Sequence, residues 1–121
     1  MDLINGGTNP VDQWQHGTHV SGTVGATNEN IGMAPDVGLI GIQVFQETPD
    51  GPRASSSTIE DALEWVLDNQ DTYNIVAVNL SLGGGFYTSE ADASSDIRYD
   101  DIQRLEEAGI VVVAAGGNSY K

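Results

Sequence analysis

Three short apolar runs, at residues 37–45, 75–80 and 110–115, are separated by two stretches with a helical pattern. Each run is far too short for a membrane span, and too unbroken for a strand with one wet face. Each therefore reads as a strand buried on both sides. Strand, helix, strand, helix, strand is the order of parallel pairing with right-handed crossovers, because a parallel partner needs a long return connection. The expected class is α/β, a parallel sheet with helical crossovers and helices on each face.

The first crossover has the clearest pattern. Ser57 and Glu60 stand at capping-box spacing. Over residues 57–69, Ile59, Ala62, Leu63, Val66 and Leu67 recur at i, i+3, i+4, i+7 and i+8, one apolar helical face. The second crossover covers about residues 100–108, with Ile102 and Leu105 turned inward and Gly109 as the C-terminal cap. Residues 1–15 are polar and turn-rich, punctuated by Asn5-Gly6-Gly7 and Asn9-Pro10. From His16 to Ala26 the residues are mostly small, and the glycines make a poor isolated helix, so burial is expected to hold it. Gly32-Met33-Ala34-Pro35 turns the chain, and residues 49–52 form a loop. Residues 89–101 read as a mobile surface loop, since Glu90, Asp92, Asp96, Arg98, Asp100 and Asp101 are all charged.

Composition narrows the function classes. The 121 residues suit one small domain or a piece of a larger one, and 39% hydrophobic residues are enough for a core. With 18 acidic and 4 basic side chains the net charge is −14, which argues against nucleic acid and anionic membrane as partners. Without cysteine there is no disulfide, thiolate metal site or cysteine nucleophile, and the redox compartment stays open.

In open parallel sheets functional residues gather beyond the carboxyl ends of strands. The glycines after Leu80 and Asn118 after the last run lie at such ends, and His16 heads the small-residue helix. Gly83-Gly84-Gly85 lacks the spacing of a phosphate cradle. His16 and His19 share a helical face, but Gly17 stands where a zinc-protease motif needs Glu, so no metal site is assigned.

Together these segments resemble a known family. His16-Gly17-Thr18-His19-Val20-Ser21-Gly22-Thr23 is similar to the histidine motif of the subtilisin-like serine proteases, the subtilases. Gly32-Met33-Ala34-Pro35 resembles the turn that follows it, and Asn79-Leu80-Ser81-Leu82-Gly83-Gly84 resembles the substrate-strand motif. The stretch from Gly109 to Asn118 resembles the strand that delivers the oxyanion asparagine. Four motifs stand in family order. Gly116 departs mildly from the usual alanine or serine.

The resemblance implies a three-layer subtilisin-like fold and a serine endopeptidase acting on peptide or protein substrates. It implies that His16 is the general base, Asn118 an oxyanion donor, and Ser81, Leu82 and Gly83 a backbone edge for substrate, with His19 structural. It implies secretion, and leaves calcium open for the full domain with no site assigned here; the loop between Ala26 and Gly32 is short for the family's calcium loop. The family's Gly-Thr-Ser nucleophile motif and its aspartate motif occur nowhere in these residues, and Asp2 and Asp12 stand too near His16 to replace the aspartate. Residues 1–121 are thus expected to be a partial catalytic domain, inactive alone. The alternative is a non-catalytic α/β binding or structural module on the same scaffold. If the enzyme reading holds, His16, residues 81–83 and Asn118 are expected to converge on one sheet edge.

Overall fold

In the computed structural model, residues 1–8, 10–28, 30–84, 89 and 93–118 are described. The chain forms two compact units, Met1–Ser55 and Ser56–Lys121.

The second unit is the α/β part. It holds helix α2 (Ser56–Tyr73), strand β1 (Ala77–Leu80), helix α3 (Tyr99–Glu107) and strand β2 (Val111–Ala114), while α1 (His16–Gly25) belongs to the first unit. The two strands pair in parallel with Ala77 opposite Val111 and Leu80 opposite Ala114, so the connection carrying α3 is a crossover. Its core is the periodic face of α2, with Ile59, Ala62, Leu63 and Val66 all buried, joined by Leu105 of α3 and by Ile110. Leu67 and Ile102 are half-buried at its margin.

Both helices of this unit end in the same way. Gly109 has φ +80°, its N–H donates to the Glu106 carbonyl, and the Ile110 N–H donates to the Leu105 carbonyl at 2.9 Å. That is a Schellman end, with the usual apolar partners Leu105 and Ile110 buried at 0% and 1% exposure. At the end of α2, Asn74 takes φ +52° and the Ile75 N–H donates to the Gln70 carbonyl. Gln70 ties the two ends together, its Nε2 donating to the Ala108 carbonyl at 2.8 Å.

Several expectations need correction here. Helix α2 starts at Ser56, so Ser57 lies inside the first turn rather than at a capping-box N-cap. It also runs on to Tyr73, whose ring stacks on Trp65 with centroids 5.8 Å apart. Helix α3 begins at Tyr99 and buries Asp101, whose carboxylate accepts from Arg104 Nη1 at 2.8 Å. Arg98 is paired with Asp96. The end of the expected mobile loop is therefore ordered by ion pairs; Glu90 and Asp92 lie outside the described residues. Among the described residues of this unit only one face of the sheet is covered: Val111 and Val113, on alternate positions of β2, are 60% and 52% exposed, contrary to the expected helices on both faces.

The first unit is built differently. Among the described residues, 37–45 form no strand, and the sheet of β1 and β2 has two strands rather than the expected three. A strand needs a ladder partner along its length, and among the described residues this run finds one only around Asp2. Gln43 N–H donates to the Met1 carbonyl at 2.9 Å, and Leu3 N–H to the Gln43 carbonyl at 3.2 Å, giving a single parallel bridge. Only Val44 of the run is buried, while Val37, Leu39 and Ile40 are exposed. Beyond it, Gln46 and Arg53 bridge in antiparallel sense around a turn in which Gly51 has φ +99°.

Candidate active site

Helix α1 forms, yet none of its residues is buried, contrary to the expectation that burial would hold it. Local hydrogen bonds stand in for packing. The Met33 and Ala34 amides donate to the Thr23 and Val24 carbonyls at 3.0 and 2.8 Å, folding the Gly32–Pro35 turn against the last turn of the helix. Gly32 permits this approach, because a Cβ there would stand 2.2 Å from the Ala26 carbonyl oxygen. Gly25 admits Val37 and Leu39, whose side-chain tips would lie 3.0 Å from an added Cβ.

The start of α1 carries His16. The residue before it, Gln15, has φ +61° and makes no side-chain cap. Instead Asp12, four residues before the helix, accepts through Oδ2 from the Thr18 N–H at 2.7 Å and the Thr18 hydroxyl at 2.6 Å. Those Thr18 bonds, side chain first, together with the amides of Gln15 and Trp14, hold the Asp12 carboxyl below the ordinary aspartate range. The spacing of an acid six residues before a threonine was the available sequence signal. Asp12 stands too near His16 to replace the triad aspartate, and its contact with the helix goes beyond what the sequence analysis assigns it.

In the second unit, the candidate residues follow the carboxyl ends of two neighbouring strands. The ladder closes with the Ala115 N–H donating to the Leu80 carbonyl at 3.2 Å. Past it, Ser81 and Leu82 are half-buried and Gly83 is exposed, and Asn79 Nδ2 donates to Ser81 Oγ at 2.8 Å. Gly85 lies outside the described residues. On the other strand, Gly117 has φ +83°, a turn that a side chain would strain, and Asn118 follows it exposed. Gly116 has neither a positive φ nor any atom within 4 Å of an added Cβ, so nothing local requires glycine there. Residues 81–83 and Asn118 thus leave adjacent parallel strands at the same end, while His16 belongs to the first unit.

Among the described residues no group of three or more His, Asp or Glu side chains stands together as a metal site. No helix among them is long and apolar enough to cross a membrane.

The unit is thus α/β, with Ser81-Leu82-Gly83 and Asn118 beyond the carboxyl ends of its parallel strands. The subtilase family model matches residues 4–121, and the chain belongs to this family. Subtilisin E of Bacillus subtilis is 36% identical over 115 residues, 92% of this chain and 26% of that protein. Subtilisin DY of Bacillus licheniformis is 34% identical over 120 residues, 97% of this chain and 39% of the relative. Alkaline protease 1 of Aspergillus flavus is 32% identical over 111 residues, 89% of this chain and 24% of that protein. The chain therefore spans between 24% and 39% of the length of these relatives.

Proposed function

We propose that residues 1–121 are an interior segment of the catalytic domain of a subtilisin-like serine endopeptidase, secreted to act on peptide or protein substrates. His16 is the general base. It takes the proton of the nucleophilic serine as that oxygen attacks the scissile carbonyl, then returns it to the leaving amine as the carbon–nitrogen bond breaks. Asn118 donates its side-chain amide to the oxygen on which negative charge develops, a contact stronger in the transition state than in the ground state. Ser81, Leu82 and Gly83 offer backbone groups to an extended substrate, which adds to the edge as a strand.

The observation that carries this reading is the parallel register of β1 and β2. It supports a common place for the substrate edge and the oxyanion donor, because both chains leave the same end of adjacent strands. Residues 1–121 carry neither the serine nor the aspartate motif, so this stretch alone is not expected to hydrolyse peptides or to be labelled at serine by a fluorophosphonate.

The test is made in the full-length protein. Asn118→Ala is expected to lower kcat about a hundred- to a thousand-fold with little change in KM, the scale established for one oxyanion donor in subtilisin itself, a relative of this chain. His16→Ala removes the proton carrier and is expected to cost more, about a thousandfold or beyond. Normal turnover in either variant would show that the roles are wrongly assigned. A full-length protein without peptidase activity would favour the non-catalytic module.

A further inference from the structure

The start of the histidine helix has an empty capping position and a filled one. Gln15 occupies the N-cap in a left-handed conformation with no capping bond from its side chain. Without an N-cap side chain, the first amides of a helix must turn to other acceptors. His16 is the first residue of the first turn, so any fraying there moves its imidazole directly. The Thr18 amide, third in the helix, is the donor that an N-cap side chain would ordinarily satisfy. It is satisfied by Asp12 instead, at 2.7 Å, and the same carboxylate oxygen also takes the Thr18 hydroxyl at 2.6 Å.

We propose that Asp12 is a positioning residue for His16: reaching over Gln15, its carboxylate caps α1 and fixes the geometry of the first turn. The proposal rests on the reading of His16 as general base. It assigns Asp12 no contact with substrate and no part in proton transfer. Three features make the carboxylate suited to the task. It is a charged acceptor at the positive end of a helix dipole. It binds two donors of one residue, which fixes direction as well as distance. Its loop passes close over the helix start, since a Cβ on Gly17 would stand 3.7 Å from Asp12 Oδ2. At that distance a Cβ would make only ordinary contact, so the carboxylate lies against the helix start without demanding glycine at 17.

A general base must stand at hydrogen-bond distance from the proton it removes, and a displacement of about 1 Å can cost about a hundredfold in rate. Loosening the first turn therefore predicts a loss in kcat rather than in substrate binding. The experiment compares Asp12→Ala, Asp12→Asn and His16→Ala in the full-length protein, with rates expressed per active site titrated by a serine-directed reagent. Asp12→Ala is expected to lower kcat about ten- to a hundred-fold with KM within about twofold. Asp12→Asn keeps an acceptor oxygen and is expected to restore most of that loss. A wild-type Thr18 amide resonance that shifts downfield and follows the titration of the Asp12 carboxyl reports the contact itself, so the test stands even if Asp12→Ala yields no titratable sites. The proposal is overturned if Asp12→Ala turns over normally while His16→Ala does not, if the alanine and asparagine variants lose kcat equally, or if the Thr18 amide ignores the Asp12 titration. Normal turnover in His16→Ala would instead overturn the assignment of the base.

Discussion

Residues 56–121 and residues 1–55 solve the same problem by opposite means. Of the buried apolar side chains among the described residues, Ile59, Ala62, Leu63, Val66, Leu105 and Ile110 all lie in the second unit, and Val44 alone lies in the first. The second unit is a packed core with its strand ends free to carry residues 81–83 and Asn118. The first unit is held by turns and hydrogen bonds: Asp2 with Ile4 and Asn5, Asp12 with Thr18, the Gly32–Pro35 turn with α1, and Met1 with Gly41 and Gln43. Side-chain periodicity writes a core into a sequence, whereas single directional contacts leave almost no periodic trace. The difference in construction is therefore also a difference in legibility.

The sharpest way to break this comparison is to remove one core side chain from each unit. Leu105→Ala empties a fully buried site between α2 and β2 and is expected to cost about 2–5 kcal/mol. Val44→Ala removes two methyl groups from a site at 8% exposure and is expected to cost about 2 kcal/mol or less. Native-state hydrogen exchange on the full-length protein separates the two, since Leu105→Ala should accelerate amides of α2, α3 and β2. Equal losses from the two variants would mean that the units do not differ in the way their burial indicates.

The two helix ends of the second unit give a finer contrast. Gly109 and Asn74 stand at the same position of the same motif, one with φ +80° and the other +52°. Gly109→Ala puts a Cβ into the left-handed region and is expected to cost about 1–2 kcal/mol. Asn74→Gly removes a strain that asparagine tolerates well, and is expected to change stability by no more than about 0.5 kcal/mol. Urea unfolding midpoints measure both. A larger effect at Asn74 than at Gly109 would mean that the Asn74 side chain itself, rather than its backbone angle, holds the end of α2.

These particulars show what the sequence made readable. The apolar face of α2, the Gly109 end and the parallel pair follow from residue spacing, whereas the roles of His16, residues 81–83 and Asn118 come from the family motifs and stand as proposals. Helix α2 ends at Tyr73, four residues beyond the expected end, because Asn, unlike Gly, is an ambiguous stop signal, and because the bond from Gln70 to Ala108 joins residues far apart in sequence. Residues 37–45 have strand composition but, among the described residues, find a ladder partner only around Asp2, and composition alone does not report a partner. Asp12 leaves no comparable trace, because an acid before a helix has meaning only once its distance to an amide is known.

The smallest expected effect concerns the carboxylates of the first unit and depends on pH. Asp2 is buried at 6% exposure, and its carboxylate accepts from the Asn5 N–H at 2.9 Å, the Asn5 side chain at 3.1 Å and the Ile4 N–H at 2.9 Å. The Asn5 backbone bond is the largest influence, the Asn5 side chain next, and together they outweigh desolvation and hold Asp2 below its ordinary value of 3.8. A carboxyl whose pKa falls on folding stabilises the folded state above its unfolded value, and loses that contribution as pH falls through the folded one. Acidification from about pH 6 to about pH 2 should therefore destabilise the first unit through Asp2, whereas Leu105 and Ile110 carry no charge to titrate. Asp2→Asn keeps one acceptor oxygen and removes the titration, so it should flatten the acid limb of stability while changing the neutral plateau little. Hydrogen exchange of the Ile4 and Asn5 amides across that range measures it. An acid limb of the same slope in Asp2→Asn would place the pH sensitivity of the first unit elsewhere, with Asp12 the next carboxylate to replace.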